Sequence, residues 1–367
     1  MFRALSLMLV PLLALTALAC YWMVVNVVEN QTLEEEKTQI THGQRIASVA
    51  YALQLERASV VYALQESNAS MLGDTFQQTN KAVREAVVDS KCFLDKEKFL
   101  RDLADHREIL QENLFSNRTD AEVVYYSEFT QCIMEDLMSL VKDMQHGTLW
   151  QNHVSFKMLL QATESVGMML SLGIFFFERG VLPLHDYTLL REEDVSAKEY
   201  INIAALFSPF TQQKLDLLEA THPTVFNNIN IFRLQWLVNN FTEAGPEKGR
   251  EFHEAVMRYF NLLVGLTETV AQKVLEDADD EIAVALNMVT VACLVFIFVL
   301  VMTPVLIKMM HMLTSSIQNY AIEASQKSEQ LVEEKARSDS LLYQMLPKTV
   351  AQQLKMNQTV TAECYDQ

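Results

Sequence analysis

The sequence predicts an all-α membrane protein in which two transmembrane helices flank a large helical domain and a coiled-coil helix follows. Three observations predict this. Charged side chains are absent from Leu5 to Val28 and again from Ile282 to Leu306. Between these runs apolar residues recur at steps of three and four, as in Ile46, Ala50, Leu53 and in Phe252, Val256, Tyr259, Leu263, with no sustained alternation. Beyond them a seven-residue repeat begins.

Each charge-free run exceeds the ~20 residues that a helix needs to cross a hydrocarbon core. An isolated segment can span lipid only as a helix, because its backbone must satisfy its own hydrogen bonds there. Two readings of the first run stand. Ala17-Leu18-Ala19 looks like the end of a signal peptide. The apolar run nevertheless continues through Tyr21, Trp22 and Val25, and those aromatics suit an interfacial belt, which favours an uncleaved anchor. Arg3 precedes the first run and Lys308 and His311 follow the second, so positive-inside logic places both termini in the cytoplasm of a two-span plasma-membrane protein. The resulting division is 1–4 cytoplasmic, 5–28 first span, 29–281 extracellular, 282–310 second span, 311–346 coiled coil and 347–367 linker.

Residues 29–281 hold 40 acidic and 22 basic side chains, while the remainder holds seven of each. The whole net charge of −18 therefore lies in the extracellular part, which excludes nucleic acid and anionic lipid as its natural partners. Only Cys92 and Cys132 fall outside the membrane and cytoplasm. A single disulfide and a pair of buried thiols both fit this count. Asn-x-Ser/Thr triplets at Asn30, Asn68, Asn117 and Asn240 suit glycosylation of a cell-surface protein.

Within the extracellular part the breakers are Gly73, Gly147, Pro183, Pro209, Pro223 and Gly245-Pro246. They divide it into about seven to nine helices in antiparallel bundles. Leu53–Ala58 and Phe175–Gly180 share an apolar–Glu–Arg–small pattern 122 residues apart, which suggests two related bundles. After the second span, Ile317, Ala324, Leu331, Ser338 and Met345 keep a heptad register. Its alternate core positions Tyr320, Lys327, Glu334 and Leu341 are partly polar, so the coil is weak and its registers differ by little energy.

The chain carries no Gly-rich phosphate loop, no nucleophile elbow and no His-x-x-x-His pair. Neither catalytic residues, nor a metal site, nor a cofactor is expected in it. Two arginines are anomalous. Arg57 falls inside the apolar stripe Ile46, Ala50, Leu53, Val60, Val61, Leu64, and Arg179 inside Val166, Met169, Leu172, Phe175, Phe176, Leu182. A guanidinium at a core-facing position stays charged and needs an anionic partner. Pro183 would also clash with the carbonyl of Arg179, so the helix should kink or open there. In one reading Arg57 and Arg179 converge on a small planar oxyanion, with Arg45, Arg233 and Arg258 as candidates for a supporting shell. In the other, each pairs with a local acid and sets helix register.

Leu53-Gln54-Leu55-Glu56-Arg57-Ala58-Ser59 resembles the signature of nitrate- and nitrite-sensing domains, and Phe177-Glu178-Arg179-Gly180 its second arginine element. The resemblance implies two four-helix bundles over roughly 45–275 and arginines that bind the oxyanion. Glu334–Asp339 and Leu341–Leu354, with Met345-Leu346-Pro347-Lys348 at the centre, resemble the signalling helix ahead of animal guanylate cyclase domains. Thr359–Gln367 resembles the entry to that domain, whose metal- and nucleotide-binding residues would lie beyond Gln367. This second resemblance implies a homodimer joined along the coil and an output in cGMP made by a downstream catalytic domain. A different class of reading is a non-enzymatic membrane interaction receptor that ends at Gln367.

Overall fold

The computed structural model describes residues 2–66, 72–86, 91–93, 95–112, 119–140 and 149–356, and these are all-helical apart from their connections. In chain order the helices are α1 (Phe2–Glu66), α2 (Leu72–Glu85), α3 (Lys96–Glu112), α4 (Thr119–Leu140), α5 (Leu149–Arg179), α6 (Leu184–Phe207), α7 (Pro209–Thr221), α8 (Pro223–Gln235), α9 (Pro246–Met345) and α10 (Lys348–Lys355). They form two compact units, 27–287 and 1–26 with 288–367. Parts of α1 and α9 belong to each.

The larger unit is built from α1 to α9. Prolines start four of its helices: Pro209, Pro223 and Pro246 are first residues and Pro183 caps α6. A helix start is where a missing N–H is harmless and a fixed φ is useful. The Ser208 side chain adds a cap to α7 by accepting from the Thr211 N–H. α5 is apolar nearly all round, and Val166, Met169, Leu170, Leu172 and Ile174 to Phe177 are all buried. Such a helix belongs at the centre of a fold or in lipid. Its apolar window is 89% buried inside the unit, so α5 is a core helix. Phe177 lies within ring-contact distance of Phe232, Trp236, Phe241 and Phe252, which ties α5 to α8, α9 and the segment between them.

The end of α5 departs from a simple kink. The helix stops at Arg179, and Gly180 takes φ +81, closing the last turn by donating to the Phe176 carbonyl at 2.8 Å. A Cβ at Gly180 would stand 2.6 Å from the Phe241 carbonyl oxygen. Asn239 then clamps Leu182, its Oδ1 accepting from the Leu182 N–H and its Nδ2 donating to the Leu182 carbonyl. Pro183 thus follows a finished helix instead of bending a continuous one.

The smaller unit holds the first residues of α1, the second half of α9, and α10. The apolar windows of α1 and α9 are only 11% and 17% buried, so both leave their hydrocarbon surface open. Ile317, Leu331 and Met345 of the heptad are exposed. Pro347 caps α10, which turns back so that Lys355 pairs with Asp339.

Candidate functional site

Two adjacent residues of α1, Glu56 and Arg57, are both fully buried in the larger unit and solve the problem of a buried charge differently. Glu56 is saturated. Arg107 of α3 donates to both its oxygens, from Nε at 2.7 Å and Nη2 at 2.6 Å, and the Tyr126 hydroxyl of α4 donates at 2.8 Å. Arg107 also reaches Asn80 of α2 and lies 4.4 Å from the centre of the Phe76 ring. Burial, then the Glu56 charge, pushes the Tyr126 hydroxyl well above its ordinary pKa, so it stays a donor. This cluster joins four helices and leaves no edge for a ligand.

Arg57 is left partly open. Its Nη1 donates to Glu164 of α5 at 2.9 Å, to Ser127 of α4 at 3.0 Å and to Thr130 at 3.4 Å. Glu164 is itself held by Gln54 at 2.6 Å and Thr130 at 3.2 Å. Among the described residues the buried Nε and Nη2 groups of Arg57 have no hydrogen-bond partner, and neither has Oε1 of Gln54. Nε and Nη2 form one edge of the guanidinium, the edge that donates two parallel bonds to a planar acceptor. Gly167 stands beside it: a Cβ there would be 3.2 Å from Nη2. Any larger side chain would occupy the space next to the free edge. The Glu164 side chain is 19% exposed, which is where solvent approaches the cluster.

The electrostatics of the cluster are close to balance. Glu164 compensates Arg57, and Glu193 of α6 is a further carboxyl within its field. Burial is the main cause that raises the Glu193 pKa, Glu164 adds to it, and Ser165 and Arg57 oppose it. An added anion would meet one guanidinium and two carboxyls, so proton uptake favours its binding.

The other arginines of the sequence reading lie elsewhere. Arg179 is exposed, with its guanidinium 5.0 Å from the centre of the Phe175 ring. It follows Gly167 by twelve residues on α5, a rise of about 18 Å. Arg57 and Arg179 therefore do not converge. The stripe that appeared to include Arg179 ends one turn early, because α5 terminates there and the side chain leaves the core with it. Arg45 is also exposed, twelve residues before Arg57 on α1, at the rim of a groove of about 500 Å³ that Lys81 and Glu268 also line. Arg233 bonds Asp194 through Nε at 2.6 Å, and Arg258 pairs with Glu254 on its own helix. The Glu-Arg elements of α1 and α5 are thus not equivalent places.

Cys92 and Cys132 are joined by a disulfide. Asn240 is exposed, Asn30 lies within α1 with its amide oxygen buried, and Asn68 and Asn117 lie outside the described residues. Among the described residues no group of three or more His, Cys, Asp or Glu side chains could hold a metal ion. The sequence reading missed Glu164 as the partner of Arg57. One signal pointed to it: Glu164 is the sole charged residue between Lys157 and Glu178.

Residues 48–287 match the family described as nitrate and nitrite sensing, and residues 300–354 match the one described as heme NO binding associated. The receptor-type guanylate cyclase gcy-7 of Caenorhabditis elegans is 51% identical over 57 residues, 16% of this chain and 5% of that protein. Its relative gcy-14 is 56% identical over 45 residues, 12% of this chain and 4% of the relative. The chain thus spans a small fraction of the length of these curated relatives. Among solved structures, the NasR transcription antiterminator shares the fold with a TM-score of 0.56 at 16% identity, over 93% of this chain and 95% of that one.

Proposed function

The chain belongs to the nitrate and nitrite sensing family, and from that premise we propose that it is the sensing and transmitting region of a receptor guanylate cyclase, which detects a small planar oxyanion such as nitrate or nitrite at Arg57. The membership carries the sensor role. The apolar, open surfaces of α1 and α9 and the likeness to receptor-type cyclases mark a membrane protein. The ligand reading rests on one observation, the buried Nε and Nη2 edge of Arg57 that no group among the described residues satisfies. Leaving a buried charged donor unpaired costs about 1–3 kcal/mol or more, so such an edge is a strong donor pair for two oxygens of one planar anion.

Transmission in this reading uses helices common to both units. α1 carries Arg57 and the first apolar run; α9 carries Phe252 to Ala278 of the core, the second apolar run and the heptads. A ligand that draws Arg57 away from Glu164 loosens the link between α1 and α5, and α1 leads directly into the membrane. With both termini cytoplasmic, two copies pair along Ile317, Leu331 and Met345, and the change of coil geometry sets cGMP synthesis by a downstream cyclase domain. Coil registers that differ by a few kcal/mol permit such a switch.

The test is a nitrate and nitrite titration of the full chain in detergent, read as thermal stability. Ligand at a hundred times Kd adds about 2.7 kcal/mol to the state that binds it. Arg57→Lys keeps a cation opposite Glu164 and removes the free edge, so it should fold and lose the shift. A wild-type curve that does not move with either anion would refute the ligand reading.

A further inference from the structure

The larger unit carries an exposed apolar ridge that its own core does not explain. Leu234 lies in the last turn of α8, Leu237 and Val238 follow it, and Val181 and Leu184 flank the break between α5 and α6. All five are exposed, Leu184 by 78% and Val238 by 67%. The Asn239 clamp on Leu182 and the bonds from the Tyr187 hydroxyl to the Trp236 and Leu237 carbonyls hold the two segments side by side. Large apolar side chains exposed on two segments held together in this way offer a surface for something outside the unit to cover.

Asn240-Phe241-Thr242 adjoins the ridge. Phe241 is turned inward: its N–H donates to the Gly180 carbonyl at 2.7 Å and its ring lies 5.2 Å from that of Phe177. The flanking Asn240 and Thr242 are left exposed in a segment that is neither helix nor strand. Exposed asparagine and threonine in a segment free of regular hydrogen bonding can take the local conformation in which the threonine hydroxyl serves the asparagine amide during modification. Asn30 has the opposite setting, within regular helix and with its amide oxygen buried.

We propose that Asn240 bears an N-linked glycan whose inner sugars lie over the ridge of Val181, Leu184, Leu234, Leu237 and Val238. The step is transfer of an oligosaccharide from a polyprenyl pyrophosphate donor. The Asn240 Nδ2 forms a bond to the anomeric carbon as the carbon–oxygen bond to pyrophosphate breaks, and one amide proton leaves to solvent. The faces of the sugar rings are lined with C–H groups and bury the aliphatic side chains, while their hydroxyls stay in water. This inference rests on residues 29–281 being extracellular, as proposed above.

The experiment expresses the full chain in cultured animal cells and releases N-glycans enzymatically in heavy-oxygen water, which marks each formerly occupied asparagine. Position 240 is expected to carry the mark. Asn240→Gln and Thr242→Ala should each lose one glycan and raise the fluorescence of an apolar-surface dye roughly twofold. Adding Leu237→Ser and Val238→Ser should cancel that rise. In parallel, protease is added to intact cells. If residues 29–281 are cut and Asn240 is unmarked, this proposal alone fails. Protection of 29–281 from the protease overturns the extracellular reading and this proposal together. An occupied Asn240 whose removal leaves dye binding unchanged overturns the covering role.

Discussion

At Arg57 the chemistry turns on which guanidinium edge is used. Nη1 is committed to Glu164, Ser127 and Thr130, and the opposite edge is free. Arg57→Lys is therefore the informative substitution for ligand binding, and Arg57→Ala a harsher one that also leaves Glu164 without its cation. Glu193 gives the site a pH dependence. Its pKa is already raised, and an anion beside Arg57 raises it further, so the complex holds more protons than the free protein. Nitrate affinity is expected to strengthen as pH falls toward that raised value, and the trend should flatten in Glu193→Gln; isothermal titration across pH measures both. A separate residue governs acid stability. His153 is 2% exposed, neither ring nitrogen has a partner among the described residues, and burial lowers its pKa to about 3. The unfolded chain then binds a proton that the folded one refuses, so stability declines as pH falls from about 6.5 to about 3. At pH 5 the loss from this group is about 2 kcal/mol. Denaturation curves at pH 7 and pH 5 should lie closer together in His153→Leu by that amount.

Between elements, the strongest constraints are a close approach and a buried pair. Gly173 on α5 faces Phe252 on α9, and a Cβ there would stand 2.2 Å from the ring. Gly173→Ala is expected to destabilise by about 1–3 kcal/mol through overpacking, read as a lowered denaturation midpoint. The Glu56–Arg107 pair links α1 to α3. Removing one partner strands the other charge and should cost about 3–5 kcal/mol, whereas exchanging both for leucine should cost far less. A double-mutant cycle in denaturant separates these outcomes. Both constraints lie in sequence stretches that read as ordinary amphipathic helix. Periodicity marked their faces as buried, but it carried no information on which helix each face meets.

At the scale of the molecule, three helices among the described residues are long and apolar enough to cross a membrane, and folding distinguishes them. α5 spends its apolar surface inside the larger unit; α1 and α9 keep theirs open. The two charge-free runs found in the sequence are those of α1 and α9, and Glu164 interrupts the corresponding run in α5. Tags at Met1 and Gln367 should be inaccessible on intact cells, while protease cuts between 29 and 281. Crosslinking through cysteine placed at Leu331 should trap a dimer if the exposed heptad pairs two copies.

Helical class, the apolar runs, the proline breaks between helices and the anomaly of Arg57 were all legible in the sequence alone. Each follows from local rules: hydrophobic period, the missing proline N–H, and the cost of a buried charge. What tertiary structure decided was partnership. Arg57 and Arg179 share a motif, yet one helix continues past its arginine and the other ends at it, so one guanidinium is enclosed and the other reaches water. Glu164 meets Arg57 across 107 residues of chain, and Arg107 meets Glu56 across 51. Such pairings depend on how helices pack, and a pattern that repeats every three or four residues leaves the choice of neighbour open.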